Sequence, residues 1–354
     1  KSQEYFVYFK IFKPISWGKR PAERRSRLIQ RFHRLKRDAP PSGAERQEAL
    51  MKTIEALRQT LYDALPRRIF REEEPLARHT SFRIGGPAEL MAFPTEPAQL
   101  QALLRLAHEA GVAPHILGAG TNVLAPDAGL RGLTICLRDC LIGLELLDGT
   151  HISAMAGVSL AKTALFAAAD GLSGMETLHG IPGTVGGAVF MNAGAYGGEM
   201  KDVVESVDFL HPDGRMERFA AADCAFGYRT SVFQTLPGVI VRAVFRLRPG
   251  EPDAIRAKIS ELAEKRRAAQ PLAMPSAGSA FRRPQTGYAA ALIEQTGLKG
   301  LTVGGASVSE KHAGFIVNNG GATAQDVLTL IREIQKKVLD ATGVRLEPEV
   351  RLWE

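Results

Sequence analysis

Apolar residues recur at helical spacing in six stretches of the chain. Over residues 51–65, Ile54, Leu57, Leu61 and Leu65 predict a helix that Pro66 ends. Residues 97–110 carry Leu100, Leu103, Leu104 and Ala107 on one face. Further helices are expected over 160–170, 253–269, 289–296 and 324–342, the last with Val327, Ile331, Ile334 and Val338 aligned. Short apolar or alternating runs predict strands at 89–93, 115–117, 133–137, 142–147, 151–156, 203–210, 215–219, 239–247, 304–308 and 315–318. Asp148-Gly149 and Pro212-Asp213-Gly214 read as hairpin turns. At the end, LEPEVRLW alternates: Leu346, Pro348, Val350 and Leu352 on one side, Glu347, Glu349 and Arg351 on the other, as in a strand. The mixture, without an internal repeat, predicts an α+β chain with a boundary near 249–252, where Pro and Gly cluster.

Between these elements lie two glycine-rich stretches. Residues 174–198 hold eight glycines and one charged side chain, Glu176. Glycine at that density costs backbone entropy and is kept where backbone turns sharply or approaches something closely. The apolar residues between them, Ile181, Val185, Val189 and Met191, exclude a flexible linker. The stretch reads as an irregular buried loop whose N–H groups face a ligand rich in acceptor oxygens; a tight-turn cluster in a β core is the alternative. The second loop, Gly118-Ala119-Gly120-Thr121-Asn122-Val123, is not G-x-G-x-x-G, and no G-x-x-x-x-G-K-[ST] run occurs. A Rossmann site and a P-loop are thus disfavoured. A pyrophosphate cradled by loop N–H groups, with Thr121 and Asn122 assisting, remains.

Composition changes the picture in one place. The net charge of +7 hides a basic N-terminus: residues 1–50 hold 13 of the 45 Lys/Arg and 5 of the 38 Asp/Glu, leaving 32 against 33 for the rest. A near-neutral globule gives no footing for nucleic-acid binding outside that segment. Residues 24–37 could form a basic amphipathic helix, but a polar helix packed on nothing is marginal. Residues 1–50 are read as a disordered extension, or as sequence upstream of a start at Met51. No run of 18 uncharged apolar residues predicts a membrane span. Cys136, Cys140 and Cys224 are too few and scattered for a disulfide framework or a zinc site, so no metal and a reducing, cytoplasmic setting are expected.

The order of motifs carries more. GAGTN, then IPGTVGGAVFMNAGAYG, FGYRTS, PSAGSAFRRP and LEPEV together resemble the UDP-N-acetylenolpyruvoylglucosamine reductase (MurB) family, from about residue 80 to 353. With 19 residues between Ser279 and Lys299 there is little room for the tyrosine-bearing insertion of one branch, so the chain looks like the shorter, second type. The resemblance implies a vanillyl-alcohol-oxidase (PCMH-type) FAD fold of two α/β subdomains over 80–248, split near 130, after a helix and lead-in over 51–79. A C-terminal α+β substrate-binding domain over 253–354 follows. It also implies non-covalent FAD, NADPH as reductant, a UDP-sugar substrate and a monomer that binds no nucleic acid.

The same resemblance implies the site. Gly118, Ala119, Gly120, Thr121, Asn122, Ile181, Pro182, Gly183, Gly186, Gly187, Asn192, Ala193 and Gly194 would hold FAD, with Tyr196 as a stacking partner. Arg229, Ser279 and Glu349 would be catalytic: hydride passes from flavin N5 to C3 of an enolpyruvyl ether and a proton reaches C2. Arg229 suits a fork onto the substrate carboxylate, and Ser279 matches the proton donor. Tyr228, Arg266, Arg267, Lys299 and Lys311 are expected substrate contacts. Arg283 stands where some relatives carry asparagine. Another flavin oxidase of this fold, or a flavin protein without catalysis, remains open at this stage.

Overall fold

The computed structural model describes residues 43–138 and 140–353. The chain divides into two compact units, 1–56 and 57–354. Helix α1 spans Gly43–Ala64, so it begins before Met51. The expectations for residues 1–42, a basic helix or a disordered extension, lie outside the described residues. Everything that follows concerns the second unit.

Its first sheet has strands β1 (Phe70–Pro75), β2 (Pro87–Ala92), β3 (His115–Leu117) and β4 (Leu130–Cys136), in the order β1-β2-β4-β3. Strand β1 pairs antiparallel with β2; β2 and β3 both pair parallel with β4. Parallel neighbours need a crossover, and helix α2 (Pro97–Glu109) supplies it, burying Leu100, Leu103, Leu104 and Ala107. A central parallel strand is covered on both faces and reads as a continuous apolar run. Accordingly β4, LRGLTIC, is buried at every position but Arg131.

The second sheet is antiparallel. Strands β5 (Leu144–Leu146), β6 (His151–Met155), β7 (Val204–Leu210), β8 (Met216–Ala220) and β9 (Val239–Arg246) lie in the order β8-β7-β9-β6-β5. The sheets therefore divide between Cys136 and Leu144, not near residue 130, because β4 is the paired centre of the first. The strand expected over 142–147 shortens to β5, with Ile142 63% exposed. Helix α3 (Leu160–Ala169) and the short helix α4 (Val185–Phe190) connect β6 to β7. Each starts on a hydroxyl cap: Ser159 accepts from Lys162 N, and Thr184 from Gly187 N.

Across the second sheet, Asp208 on β7 sits opposite Arg218 on β8 and Arg242 on β9. The Nε atoms of both arginines lie 2.7 Å from its carboxylate. Burial pushes the Asp208 carboxyl up, but the two guanidinium groups outweigh it and hold it below the usual value. A lowered folded-state pKa contributes stability above the ordinary carboxylate value of about 4, and that contribution fades as pH falls through the folded value. Asp208→Asn should therefore cost about 1.5–3 kcal/mol near neutrality. In paired thermal melts, the gap between variant and native protein should close in acid; a gap independent of pH would contradict the ion-pair account.

Past Pro249, helix α5 (Pro252–Ala269) packs Ile255 and Ile259 on Ala168 of α3, although the sequence groups it with the third domain. The C-terminal core is built by α6 (Ala289–Gln295), α7 (Ala324–Thr342) and the antiparallel strands β10 (Thr302–Val303), β11 (Ala306–Val308) and β12 (Ile316–Asn318). The expected strand over 304–308 is thus a hairpin turning at Gly304. Helix α7 buries Val327, Leu330, Ile331, Ile334 and Val338. Its first amides, Ala324 N and Gln325 N, donate to the Asp127 carboxylate at 2.7 and 3.0 Å, a favourable place for negative charge. Phe82, Ile84 and Leu124 join this core from the connections of the first sheet. The tail is not one strand. Pro348 bridges Phe281, and only Arg351–Leu352 is regular, running parallel to Val123–Leu124.

Candidate active site

The two glycine stretches meet. Loop 118–122 leaves β3, and Thr121 Oγ1 donates to Pro182 O at 3.1 Å. Gly120 has φ +63°, and a Cβ there would stand 2.2 Å from the His79 carbonyl oxygen, so both the turn and the packing demand glycine. Gly183, at φ +133°, lies in a region that side chains avoid. Together the loops wall a cleft of about 850 Å³, at the large end of ligand pockets. Twelve of the thirteen residues expected to hold FAD line it: 118–122, 181–183, Gly186, Gly187, Ala193 and Gly194. Walls of bare backbone and small apolar groups fit a large cofactor bearing a pyrophosphate.

Asn192 is the exception. It is fully buried, and its amide is spent within the protein: Nδ2 donates to Glu199 Oε2 and Gly227 O, and Oδ1 accepts from Lys201 N. It cannot also serve a cofactor. Tyr196 is 46% exposed and does not line the cleft.

Opposite the loops, residues 227–230 form a tight turn in which Gly227 and Thr230 exchange backbone hydrogen bonds. Arg229 sits in it at φ +56°, a conformation that costs a non-glycine residue about 1–3 kcal/mol. Its Nε donates to Glu349 Oε1 at 2.7 Å and its Nη2 to Gly194 O at 3.2 Å. The two side chains are 19% and 13% exposed. In this half-buried pair each charge compensates the other. Glu349 is delivered by backbone pairing: its N–H donates to Ala280 O at 2.9 Å, and Arg282 N donates to Glu347 O. On the other side Ala280 N donates to Gly314 O, and Ser279 bridges Phe315. Segment 279–282 is thus sandwiched between 314–315 and 347–349. Arg229, Ser279 and Glu349 all open on the cleft that the glycine loops line. Asn122 closes the connection, its side-chain N–H₂ donating to Glu349 O and its backbone carbonyl accepting from Arg351 N.

The sequence profile described as "UDP-N-acetylenolpyruvoylglucosamine reductase, C-terminal domain" matches residues 270–353, and an FAD-binding-domain profile matches 88–220. The chain is 43% identical over 292 residues to the UDP-N-acetylenolpyruvoylglucosamine reductase of Syntrophomonas wolfei, covering 82% of this chain and 97% of that one. It is 46% identical over 279 residues to the reductase of Caldanaerobacter subterraneus, covering 79% and 92%. The crystal structure of the Thermus caldophilus reductase superposes with a TM-score of 0.68 at 34% identity, over 80% of this chain and all of that one. The chain belongs to the UDP-N-acetylenolpyruvoylglucosamine reductase family. It is accordingly a flavin-linked oxidoreductase of peptidoglycan-precursor synthesis, with the expected α+β FAD-binding fold.

Within that reductase architecture, the expected substrate contacts separate. Arg266 lines the cleft. Its Nε donates to Gln270 Oε1 at 2.8 Å, while its buried Nη1 has no partner among the described residues. Burial lowers its pKa. The others do not line the cleft. Arg267 points outward, 3.9 Å from Glu264. Lys299 pairs with Glu294, and Lys311 Nζ donates to Arg267 O. Tyr228 is half exposed, and its hydroxyl accepts from Arg283 N. Long cations beside local acceptors satisfy themselves, which charge-counting along a sequence does not reveal.

Sequence reasoning missed Arg351 and Gln234, both on the cleft and 3.3 Å apart between Nη1 and Oε1. Arg351 carried a signal, since it stands two residues from Glu349 and alternation places both on one side. Gln234 carried none. Strand alternation puts Glu349 beside Glu347 and Arg351, but its ion-pair partner is Arg229, 120 residues away. No group of three or more His, Cys, Asp or Glu among the described residues could hold a metal ion.

Proposed function

We propose that this protein reduces UDP-N-acetyl-3-O-(1-carboxyvinyl)-α-D-glucosamine to UDP-N-acetyl-α-D-muramate at the expense of NADPH. One observation carries the reading: the Arg229–Glu349 pair and Ser279 open on the same cleft as both glycine loops. FAD, when bound, supplies the hydride that C3 receives, having accepted it from NADPH. Loops 118–122 and 181–187 would hold its pyrophosphate and dinucleotide.

The rest is done by side chains. Arg229 anchors the substrate carboxylate. A guanidinium has five donors; two are engaged with Glu349 and Gly194, which leaves three for the ligand. As hydride arrives at C3, negative charge grows on the carboxylate, and a fixed cation stabilises that charge more than the neutral-alkene ground state. Glu349 fixes the fork and keeps Arg229 from turning with its ligand. Ser279 gives the proton to C2: a hydroxyl is a weak acid, so it acts only on the strongly basic carbon created by reduction. Arg266, which lines the cleft, takes a phosphate of the UDP moiety.

A single chain contributes every one of these residues, so a monomer suffices. Three free buried cysteines, NADPH and a nucleotide-linked sugar fit the cytoplasm. No helix among the described residues is long and apolar enough to cross a membrane. The test is anaerobic: NADPH should bleach the flavin, and one equivalent of the enolpyruvyl sugar should restore its colour. A flavin that NADPH reduces and the sugar leaves reduced would refute the substrate assignment.

A further inference from the structure

Arg229 is aimed by a turn that should not hold itself. Its φ of +56° is strained for arginine, and the turn is closed by only the reciprocal Gly227–Thr230 bonds. Two carbonyls of this turn are taken by side-chain amides from outside it. Asn192 donates to Gly227 O at 2.9 Å from behind. Gln234 donates to Arg229 O at 3.0 Å, and also to Phe190 O, at the end of α4, at 3.0 Å. The other end of the Gln234 amide, Oε1, accepts from Arg351 Nη1. Ser231 Oγ reinforces the same anchor, donating to Phe190 O at 2.7 Å. One amide thus ties together the glycine-rich stretch that lines the cleft, the backbone of Arg229 and the arginine two residues beyond Glu349.

We infer that Gln234 is a positioning residue for Arg229. Its Nε2 donor end pins the Arg229 carbonyl to α4, holds the backbone left-handed and so sets the approach of the guanidinium to Glu349 and to the substrate carboxylate. The inference rests on the functional reading above. It assigns Gln234 no contact with the reacting atoms and no proton.

Two near-isosteric variants separate the ends of the amide. Gln234→Met removes donor and acceptor. Gln234→Glu keeps an acceptor for Arg351 but loses the donor and sets a carboxylate against two carbonyls. In FAD-loaded protein, both should retain flavin and its bleaching by NADPH. Both should slow anaerobic reoxidation by the enolpyruvyl sugar by about 10- to 100-fold, the scale expected when a positioned group moves by about 1 Å. If Gln234→Glu reoxidises at the native rate, the Arg351 contact is what matters and the inference is wrong. If both variants reoxidise normally, or if flavin retention, NADPH bleaching and melting temperature fall together with reoxidation, Gln234 has no positioning role. Failure of the native protein itself to reoxidise would sink the functional reading, and the role of Gln234 with it; a native protein that turns over beside unaffected variants sinks only the role.

Discussion

Ser279→Ala should leave the flavin bound and NADPH bleaching at the native rate, while reoxidation by the enolpyruvyl sugar falls by about 10²- to 10⁴-fold, the usual worth of a general acid. The asymmetry follows from position. Ser279 stands on a segment braced by Gly314 on one side and Glu349 on the other, and it is not among the glycine-loop residues that would hold the cofactor. Removing one oxygen from an exposed side chain leaves that bracing untouched, so stability should barely change. A variant that keeps both half-reactions would show that water or another group delivers the proton. One that loses flavin would show that Ser279 belongs to the cofactor cradle.

The second large effect concerns the ion pair. Arg229→Met should lower kcat/KM for the sugar by about 10²- to 10³-fold, as for other preorganised charge stabilisers. It should also destabilise the fold, by about 1–3 kcal/mol, because the half-buried Glu349 carboxylate loses its partner. Arg229→Lys should rescue stability more than activity, since one ammonium cannot meet Glu349, the Gly194 carbonyl and a ligand carboxylate in the fork geometry. A cycle with Glu349→Gln makes this quantitative. In the Arg229→Met background, Glu349→Gln should recover part of the lost stability, although in the native background it destabilises. Strict additivity of the two substitutions would mean that the 2.7 Å contact carries no coupling.

Where local pattern decides structure, the sequence was readable. Leu100, Leu103, Leu104 and Ala107 are the buried face of α2, and Val327, Ile331, Ile334 and Val338 that of α7. The hairpin at Pro212-Asp213-Gly214 joins β7 and β8. The glycine loops were legible because few other uses exist for backbone so bare. Strand β1 was not: FREEEP places three carboxylates in a row, which no alternation rule reads as a strand. It is an edge strand, where charge is tolerated because one side of the ladder faces no neighbour. The tail misled in the opposite sense. Its alternation is real, with Leu346 and Val350 buried, but Leu352 is 43% exposed and the segment is extended largely by pairing with Ala280, Arg282 and loop 122–124.

The site shows the same division. Arg229, Ser279 and Glu349 were named from motifs far apart in sequence, and their meeting depends on pairings across 227–349 that no single-sequence pattern encodes. Asn192 was assigned to the cofactor because amides in glycine loops suit ligands. Its burial against Glu199, Gly227 and Lys201 is a tertiary fact, and it makes Asn192 a brace for the 227–230 turn. Lys299 and Lys311 lie off the cleft, each with an acceptor within reach that charge along the sequence does not reveal.

The central claim is that a flavin cradle and the Arg229–Ser279–Glu349 constellation act on one substrate in one cleft. A single anaerobic turnover in heavy water tests it most directly. FAD-loaded protein is reduced with one equivalent of NADPH, one equivalent of the enolpyruvyl UDP-sugar is added, and flavin absorbance and the isotopic composition of the product are followed together. The account predicts stoichiometric return of the oxidised flavin spectrum, with a lactyl-ether product carrying solvent deuterium at C2. Flavin that stays reduced while the sugar is recovered unchanged would contradict it.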